Sequence, residues 1–310
     1  MIVTVTPNTA LDVTYTVDEL RPGAVHRARE VRHRAGGKGV NVARVLHALG
    51  VDVRAVVTAG GATGTAVAAD LAAAGLAADV VPIAGETRRT TTILGSGGAT
   101  LLNEPGPELG SAEWTALAAA VARSRPEVLV CSGSLPPGAP ADAYGRLLAS
   151  CPSGSGPPAT WLSILDTSGP ALLTGLAGKP TVVKPNIEEL REVTGLEDPV
   201  AAATELRRAG AGAVVVSLGA EGLLAVTPAG TWQATPSTAL TGNSTGAGDA
   251  VVAALALGLS RREPWPELLR RAVALSGAAV LGPLAGDVDL AHYHRERELV
   301  AVRAQPERES

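Results

Sequence analysis

Thr245-Gly246-Ala247-Gly248-Asp249 stands directly before the apolar run Ala250 to Leu259. Small residues at a helix start let backbone N–H groups close around an anion, and here a carboxylate follows one position later. Phosphoryl transfer to an alcohol needs both things: donors for the charge on the moving group and a base for the attacking hydroxyl. The same five residues also suit a glycine turn leading into a helix with an acidic first turn, where negative charge is favoured.

Other segments add groups that a lone helix cap would not require. Ala35-Gly36-Gly37-Lys38-Gly39-Val40-Asn41 precedes an amphipathic stretch, so the glycines can bend the chain while Lys38 offers a point charge to a phosphate and Asn41 offers donor and acceptor to sugar hydroxyls. The spacing is not that of a Walker A loop, and no G-x-G-x-x-G follows the first apolar run, which speaks against a dinucleotide site. Asp12, after Thr6-Pro7-Asn8-Thr9-Ala10-Leu11, could accept hydrogen bonds from two neighbouring hydroxyls or cap a turn. Arg88 and Arg89 could hold a phosphate in a fork. Asn103-Glu104-Pro105-Gly106-Pro107 and Ser132-Gly133-Ser134-Leu135-Pro136 are further loops at element ends. Asn186 and Glu189, one helical turn apart after Lys184-Pro185, suit hydrated Mg²⁺ held through water, or equally a capped helix with an acidic first turn. Ser217-Leu218-Gly219-Ala220-Glu221-Gly222 permits close approach of a nucleotide, and also reads as a hairpin turn.

The elements that must position these groups are legible as an alternation. Ile2 to Thr6, Arg54 to Thr58, Val128 to Cys131, Trp161 to Leu165, Thr181 to Val183 and Ala213 to Ser217 read as buried strands. Between them lie segments with apolar residues at helical spacing, such as Val42, Val45, Leu46 and Leu49 before Gly50, or Leu117, Ala120 and Val121 before Pro126. This predicts a doubly wound, mostly parallel α/β sheet with helices on both faces, and ligands beyond the carboxyl ends of the strands. Residues 12–35 and 88–103 break the rhythm as half-polar strands and predict a small β-sheet lid inserted in one domain spanning 1–310. Their exposed edges offer a surface for a homodimer. The stretch from Pro152 to Pro158 reads as a loop, and the charged end from His292 to Ser310 as a last helix and a frayed tail.

Composition narrows the partners. Apolar residues make up 46% and aromatic residues 2%, with no Phe, so the core must be built from Ala, Val and Leu. Thirty acidic against 26 basic residues, without a basic run, argue against nucleic acid or an anionic membrane as partner. Cys131 and Cys151 are too few for a disulfide framework and lack metal-ligand spacing. Met1 leads straight into β-branched residues with no apolar signal core, so the default location is the cytoplasm.

Taken in order, Ala35 to Ala43, Gly133-Ser134-Leu135-Pro136, Asp166-Thr167-Ser168-Gly169, Lys184-Pro185-Asn186, Ser217-Leu218-Gly219 and Gly246-Ala247-Gly248-Asp249 resemble the PfkB branch of the ribokinase-like sugar kinases over almost the whole chain. The pattern is most similar to the group holding the 1-phosphofructokinases and tagatose-6-phosphate kinases. The resemblance implies Asp249 as catalytic base, with the amides of Gly246, Ala247 and Gly248 as anion hole. It implies Asp12, Gly36, Gly37, Asn41, Asn103 and Ser134 at the sugar, and Lys38 and Arg88 near its phosphate. It places Lys184, Ser217, Leu218, Gly219, Ala220, Glu221, Gly222, Thr245 and Gly248 at ATP, and Asn186 with Glu189 near Mg²⁺ through water. The implied reaction is ATP-dependent phosphorylation of a ketohexose phosphate, first fructose 1-phosphate to fructose 1,6-bisphosphate. The rivals are tagatose 6-phosphate, fructose 6-phosphate, and a non-catalytic sugar-phosphate-binding protein. Thr9 departs from the family, which usually has proline there, and is expected to loosen the turn before Asp12. The Gly242-Asn243-Ser244 stretch is a second departure.

Overall fold

In the computed structural model, residues 1–149, 162–240, 242 and 245–305 are described. The chain begins β1 (Ile2–Thr6), β2 (Ala10–Thr16), β3 (Glu30–Gly36), α1 (Lys38–Ala48), β4 (Val53–Ala59), α2 (Gly61–Ala73), β5 (Ala78–Pro82), β6 (Arg88–Gly95) and β7 (Gly98–Asn103). It continues α3 (Ser111–Ser124), β8 (Val128–Ser132), α4 (Ala143–Ala149), β9 (Leu162–Asp166), α5 (Gly169–Gly175), β10 (Val182–Val183), α6 (Ile187–Thr194), α7 (Pro199–Arg208) and β11 (Ala213–Ser217). It ends β12 (Leu223–Thr227), β13 (Gly230–Thr235), α8 (Ala247–Ser260), α9 (Trp265–Val280), α10 (Leu290–Leu299) and β14 (Ala301–Gln305).

Ten strands form one sheet in the order β14-β13-β12-β11-β10-β9-β8-β1-β4-β5. Pairing is parallel from β5 to β11 and antiparallel from β11 to β14. Side chains alternate across a strand, and the strands near the centre are apolar on both sides because helices cover both faces. Thus Ile2, Val128 and Ile164 join α1, α2, α8, α9 and α10 in one core, while Val3, Val5 and Leu129 join α3 to α7 in another. The small residues of α8 let it lie close to α9: a Cβ on Gly258 would stand 2.8 Å from Leu268 Cγ.

The expected sheet is present, with its first and last predicted strands, Ile2–Thr6 and Ala213–Ser217, at the predicted bounds. Trp161, Cys151, Asn243, Ser244 and the predicted loop 152–158 lie outside the described residues. Residues 12–35 and 88–103 do supply a separate four-stranded sheet, β3-β2-β6-β7, with β2 parallel to β6. The tail expectation is corrected: after α10, Ala301–Gln305 pairs antiparallel with β13 as the sheet's last strand. Arg303, its one charged residue, is exposed along with Ala301 and Ala304 on this edge strand, so composition alone disguised it.

Candidate active site

Strand β1 pairs with β4 on one side and β8 on the other, so the chain leaves the sheet centre in both directions. A crevice opens at such a switch point beyond the carboxyl ends of the strands. Here it is a cavity of about 1290 Å³ that runs from the lid, past the start of α8, to the β11–β12 hairpin and α9.

Helix α8 starts at the sheet side of this cavity. Gly246 has φ +88°, and a Cβ there would stand 3.0 Å from Ala285 Cα, so glycine is required on two counts. The first intrahelical bond runs from Ala250 N to Gly246 O. The amides of Ala247, Gly248 and Asp249 therefore have no acceptor within the helix. Asp249 is buried in the first turn and accepts Asn41 Nδ2 at 2.8 Å. Burial, with the Asp166 carboxylate nearby, pushes its carboxyl up to about 7, against the pull of Lys38, Asn41 and Lys184.

Asp166, at the end of β9, is 1% exposed and gathers the cavity's ammonium groups. Its Oδ1 lies 3.4 Å from Lys38 Nζ and 3.3 Å from Lys184 Nζ, and its Oδ2 accepts Ser132 Oγ at 3.0 Å. Burial alone would raise this carboxyl; Lys184, Lys38 and the Ser132 hydroxyl outweigh burial and hold it below the usual range. The same carboxylate raises Lys38 above its ordinary value despite partial burial. A Cβ on Gly248 would stand 3.6 Å from Lys184 Nζ, which sets that ammonium beside the α8 amides. In the sequence Asp166 stands out only as the first residue of the Asp166-Thr167-Ser168-Gly169 motif. Its signal was a carboxylate closing a buried strand, Leu162–Asp166, at the ligand-bearing edge.

At the lid end, Asp12 on β2 faces Arg34 across β3 and Thr90 across β6. Burial raises its carboxyl to about 6, opposed by Arg88, Arg34, Thr90 and Arg44. Arg88 Nε donates to Asn8 O at 3.2 Å and Nη1 to Glu104 O at 3.0 Å, while Asn8 Nδ2 reaches Pro105 O and Ser134 Oγ. Asn8 is thus a residue that sequence reasoning passed over, although it ties the Arg88 and Ser134 segments together. Thr9 does not loosen its turn as expected: its Oγ1 donates to Thr6 O at 2.9 Å, a bond that restrains the turn where proline would use its ring. Gly37 has φ +105°, and a Cβ there would stand 2.6 Å from Thr6 Cγ2.

Of the predicted site residues, Asp12, Gly37, Lys38, Asn41, Arg88, Asn103, Ser134, Lys184, Asn186 and Glu189 line this one cavity. So do Ser217, Leu218, Gly219, Ala220, Gly222, Thr245, Gly246, Ala247, Gly248 and Asp249. Gly36 and Glu221 do not. Gly36 stands behind Asp12, where a Cβ would fall on the carboxylate, and Glu221 ends the short turn between β11 and β12.

Asn186 and Glu189 form a reciprocal cap at the start of α6: Asn186 Oδ1 accepts Glu189 N at 2.7 Å and Glu189 Oε2 accepts Asn186 N at 2.9 Å. Among the described residues no group of three metal-ligating side chains could hold an ion by itself. The donor set fits an ion held through water and by a ligand's phosphates, because the cap leaves Glu189 Oε1, and Glu188 also lines the cavity.

The arrangement is suited to moving a charged group onto a hydroxyl: helix-start amides, two ammonium groups and a buried carboxylate meet at the middle of a two-ended cavity. Residues 3–290 match the family model described as pfkB family carbohydrate kinase. The chain is 40% identical over 294 residues to the ATP-dependent 6-phosphofructokinase isozyme 2 of Mycobacterium tuberculosis, covering 91% of this chain and 84% of the relative. It is 38% identical over 295 residues to the 1-phosphofructokinase of Rhodobacter capsulatus, covering 91% and 92%. Its fold superposes on the crystal structure of phosphofructokinase-2 from Escherichia coli in complex with potassium with a TM-score of 0.89 at 31% identity, over 96% of this chain and 98% of that one. With the family match reaching from β1 into the first residue of α10, the chain belongs to the PfkB family of carbohydrate kinases.

Proposed function

We propose that this chain transfers the γ-phosphoryl group of ATP to the free primary hydroxyl of a fructose phosphate, with O6 of fructose 1-phosphate as the first acceptor. The observation that carries this is Asp249, a buried carboxyl raised to about 7 and held by Asn41 at the start of α8. Asp249 takes the proton of the acceptor hydroxyl, whose oxygen bonds to the γ-phosphorus as the bond to the β,γ-bridging oxygen breaks. The amides of Ala247 and Gly248, with Lys184, oppose the negative charge that builds on the transferring group, and Lys38, expected at the sugar's own phosphate, joins them here because its Nζ lies 3.4 Å from Asp166 Oδ1. An aspartate is a weak base for an alcohol, so alignment and charge stabilisation supply most of the rate. Asp12 and Asn41 receive the sugar hydroxyls, and Arg88 with Ser134 receives the phosphate already on the sugar. The hairpin Ser217–Gly222 receives the nucleotide. Asn186 and Glu189 would hold Mg²⁺ through water, and the ion would supply charge neutralisation for the nucleotide phosphates.

A second reading, fructose 6-phosphate phosphorylated at O1, is favoured by the relative named as a 6-phosphofructokinase. Both fructose phosphates carry a phosphate on one exocyclic carbon and a free primary hydroxyl on the other, so the same two-ended cavity suits either. Tagatose 6-phosphate is a third acceptor of this shape, and an intact Asp249 speaks against a silent sugar-phosphate-binding protein. Initial rates with ATP and magnesium across fructose 1-phosphate, fructose 6-phosphate, tagatose 6-phosphate and free fructose test the proposal. A highest kcat/KM for fructose 1-phosphate supports it, and no turnover of any acceptor sinks it. Residues 1–310 are read as one kinase domain with the lid inserted. Exposed Tyr15, Val31 and Leu102, on the face of the lid sheet opposite Asp12, make it the surface for a homodimer, which sedimentation against concentration checks.

A further inference from the structure

The end of the cavity away from the lid is walled by Leu218, Leu223, Thr238, Ala239, Leu240 and Val280. A flat, largely apolar nucleoside base suits this end, as the charged sugar phosphate suits the other. Thr238, Ala239 and Leu240 belong to the connection between β13 and α8, which has no regular structure of its own from Pro236 to Leu240. Its position is therefore set by what it is tied to.

The tie is Glu296 on α10. This carboxyl is 5% exposed, and among the described residues it has no ion pair. Both of its oxygens go to one residue of the connection: Oε1 accepts Ser237 N and Oε2 accepts Ser237 Oγ, each at 2.6 Å. Burying an acidic side chain without an ion pair is costly, and two short hydrogen bonds to a single loop residue are what offset it. Beyond Ser237 the connection is pressed onto α9: a Cβ on Gly277 would stand 3.2 Å from Leu240 Cδ1, and one on Gly242 would stand 2.3 Å from Val280 O. Glu296 thus fixes the loop at Ser237, between Pro236 and Thr238, which both line the cavity.

We infer that Glu296, through its two hydrogen bonds to Ser237, is a positioning residue for the wall that receives the nucleotide base. The inference rests on the nucleotide reading of this end of the cavity. Its effect is on nucleotide affinity and leaves the acceptor end, on the far side of Asp249, as it was.

The test uses the full chain, with ADP binding by calorimetry and initial rates with fructose 1-phosphate. Glu296→Gln keeps the shape and loses one acceptor; Ser237→Ala removes only the hydroxyl donor and guards against a variant that fails to fold. Expected is a rise of about five- to tenfold in ADP Kd and ATP KM for Glu296→Gln, and of about threefold for Ser237→Ala, the scale of a single lost hydrogen bond. The KM for fructose 1-phosphate and kcat at saturating ATP should stay within about twofold. Unchanged ADP affinity in both variants overturns the inference, as does an equal rise in the constants for both substrates, which would report general loosening. Wild-type protein that binds no ADP overturns the nucleotide reading and the inference with it.

Discussion

Asn41 Nδ2 donates to Asp249 Oδ2 across 2.8 Å and so joins the first turn of α1 to the first turn of α8. The bond fixes which Asp249 oxygen is engaged in a residue that also lines the cavity.

Asp249→Asn should separate binding from chemistry. Turnover in a coupled ADP assay is expected to fall by about 10²–10⁴-fold, while ADP and sugar phosphate still bind. Stability should move the other way. A carboxyl whose folded value is raised contributes stability below its unfolded pKa and loses that contribution as pH rises through the folded one, here from about 4 to about 7. Above pH 7 the wild type carries a buried charge that the Asn variant lacks, so the variant should be more stable by roughly 2–4 kcal/mol at pH 8 and by much less at pH 4. Denaturant melts at the two pH values check this; a variant with near-normal turnover ends the assignment.

The Asp166 carboxylate both raises Asp249 and holds Lys38 and Lys184. Asp166→Asn should therefore have two distinguishable effects. kcat should fall because two ammonium groups lose their anchor. The acid limb of kcat/KM, expected near pH 7 in the wild type, should move to lower pH because a negative neighbour of the base is gone. A limb that stays in place would mean that another group sets it.

Much of this was legible before the structure. The runs Ile2 to Thr6 and Ala213 to Ser217 announced buried strands because a parallel sheet needs apolar residues on both faces, and the glycines at 246 and 248 announced a helix start open to an anion. What sequence could not show is pairing between distant segments. Asp166 becomes central only when Lys38, 128 positions earlier, arrives at its Oδ1. Asn8 becomes a hub only when Pro105 and Ser134 close on it. Strand β14 escaped because its pattern is that of a half-exposed edge, Ala-Val-Arg-Ala-Gln, too polar to be told from a tail without its partner β13. Asn186 and Glu189 are open to two readings in the sequence, and the structure shows the cap.

Gly36 tests the acceptor end without touching the cavity wall. An added Cβ would stand 2.1 Å from Asp12 Oδ2, so Gly36→Ala must displace that carboxylate. The KM for the sugar substrate should rise by about tenfold or more, with ADP affinity unchanged. Equal sugar KM values for the two proteins would mean that Asp12 does not hold the sugar.

Arg88 offers the sharpest test of where the resident phosphate lies, because it both lines the cavity and steadies Asp12. In Arg88→Gln a guanidinium is lost, and a charged pair to phosphate is worth more than a neutral hydrogen bond. The KM for fructose 1-phosphate should rise by about 10–100-fold while that for free fructose changes little at pH 8.5. Because Arg88 is the strongest of the groups holding Asp12 down, its removal should push that carboxyl above about 6. Asp12 then spends more time protonated near neutrality and accepts sugar hydroxyls less well, so free fructose should also weaken as pH is lowered from 8.5 to 6.5. Equal losses for phosphorylated and free sugar at pH 8.5 would place the phosphate elsewhere in the cavity.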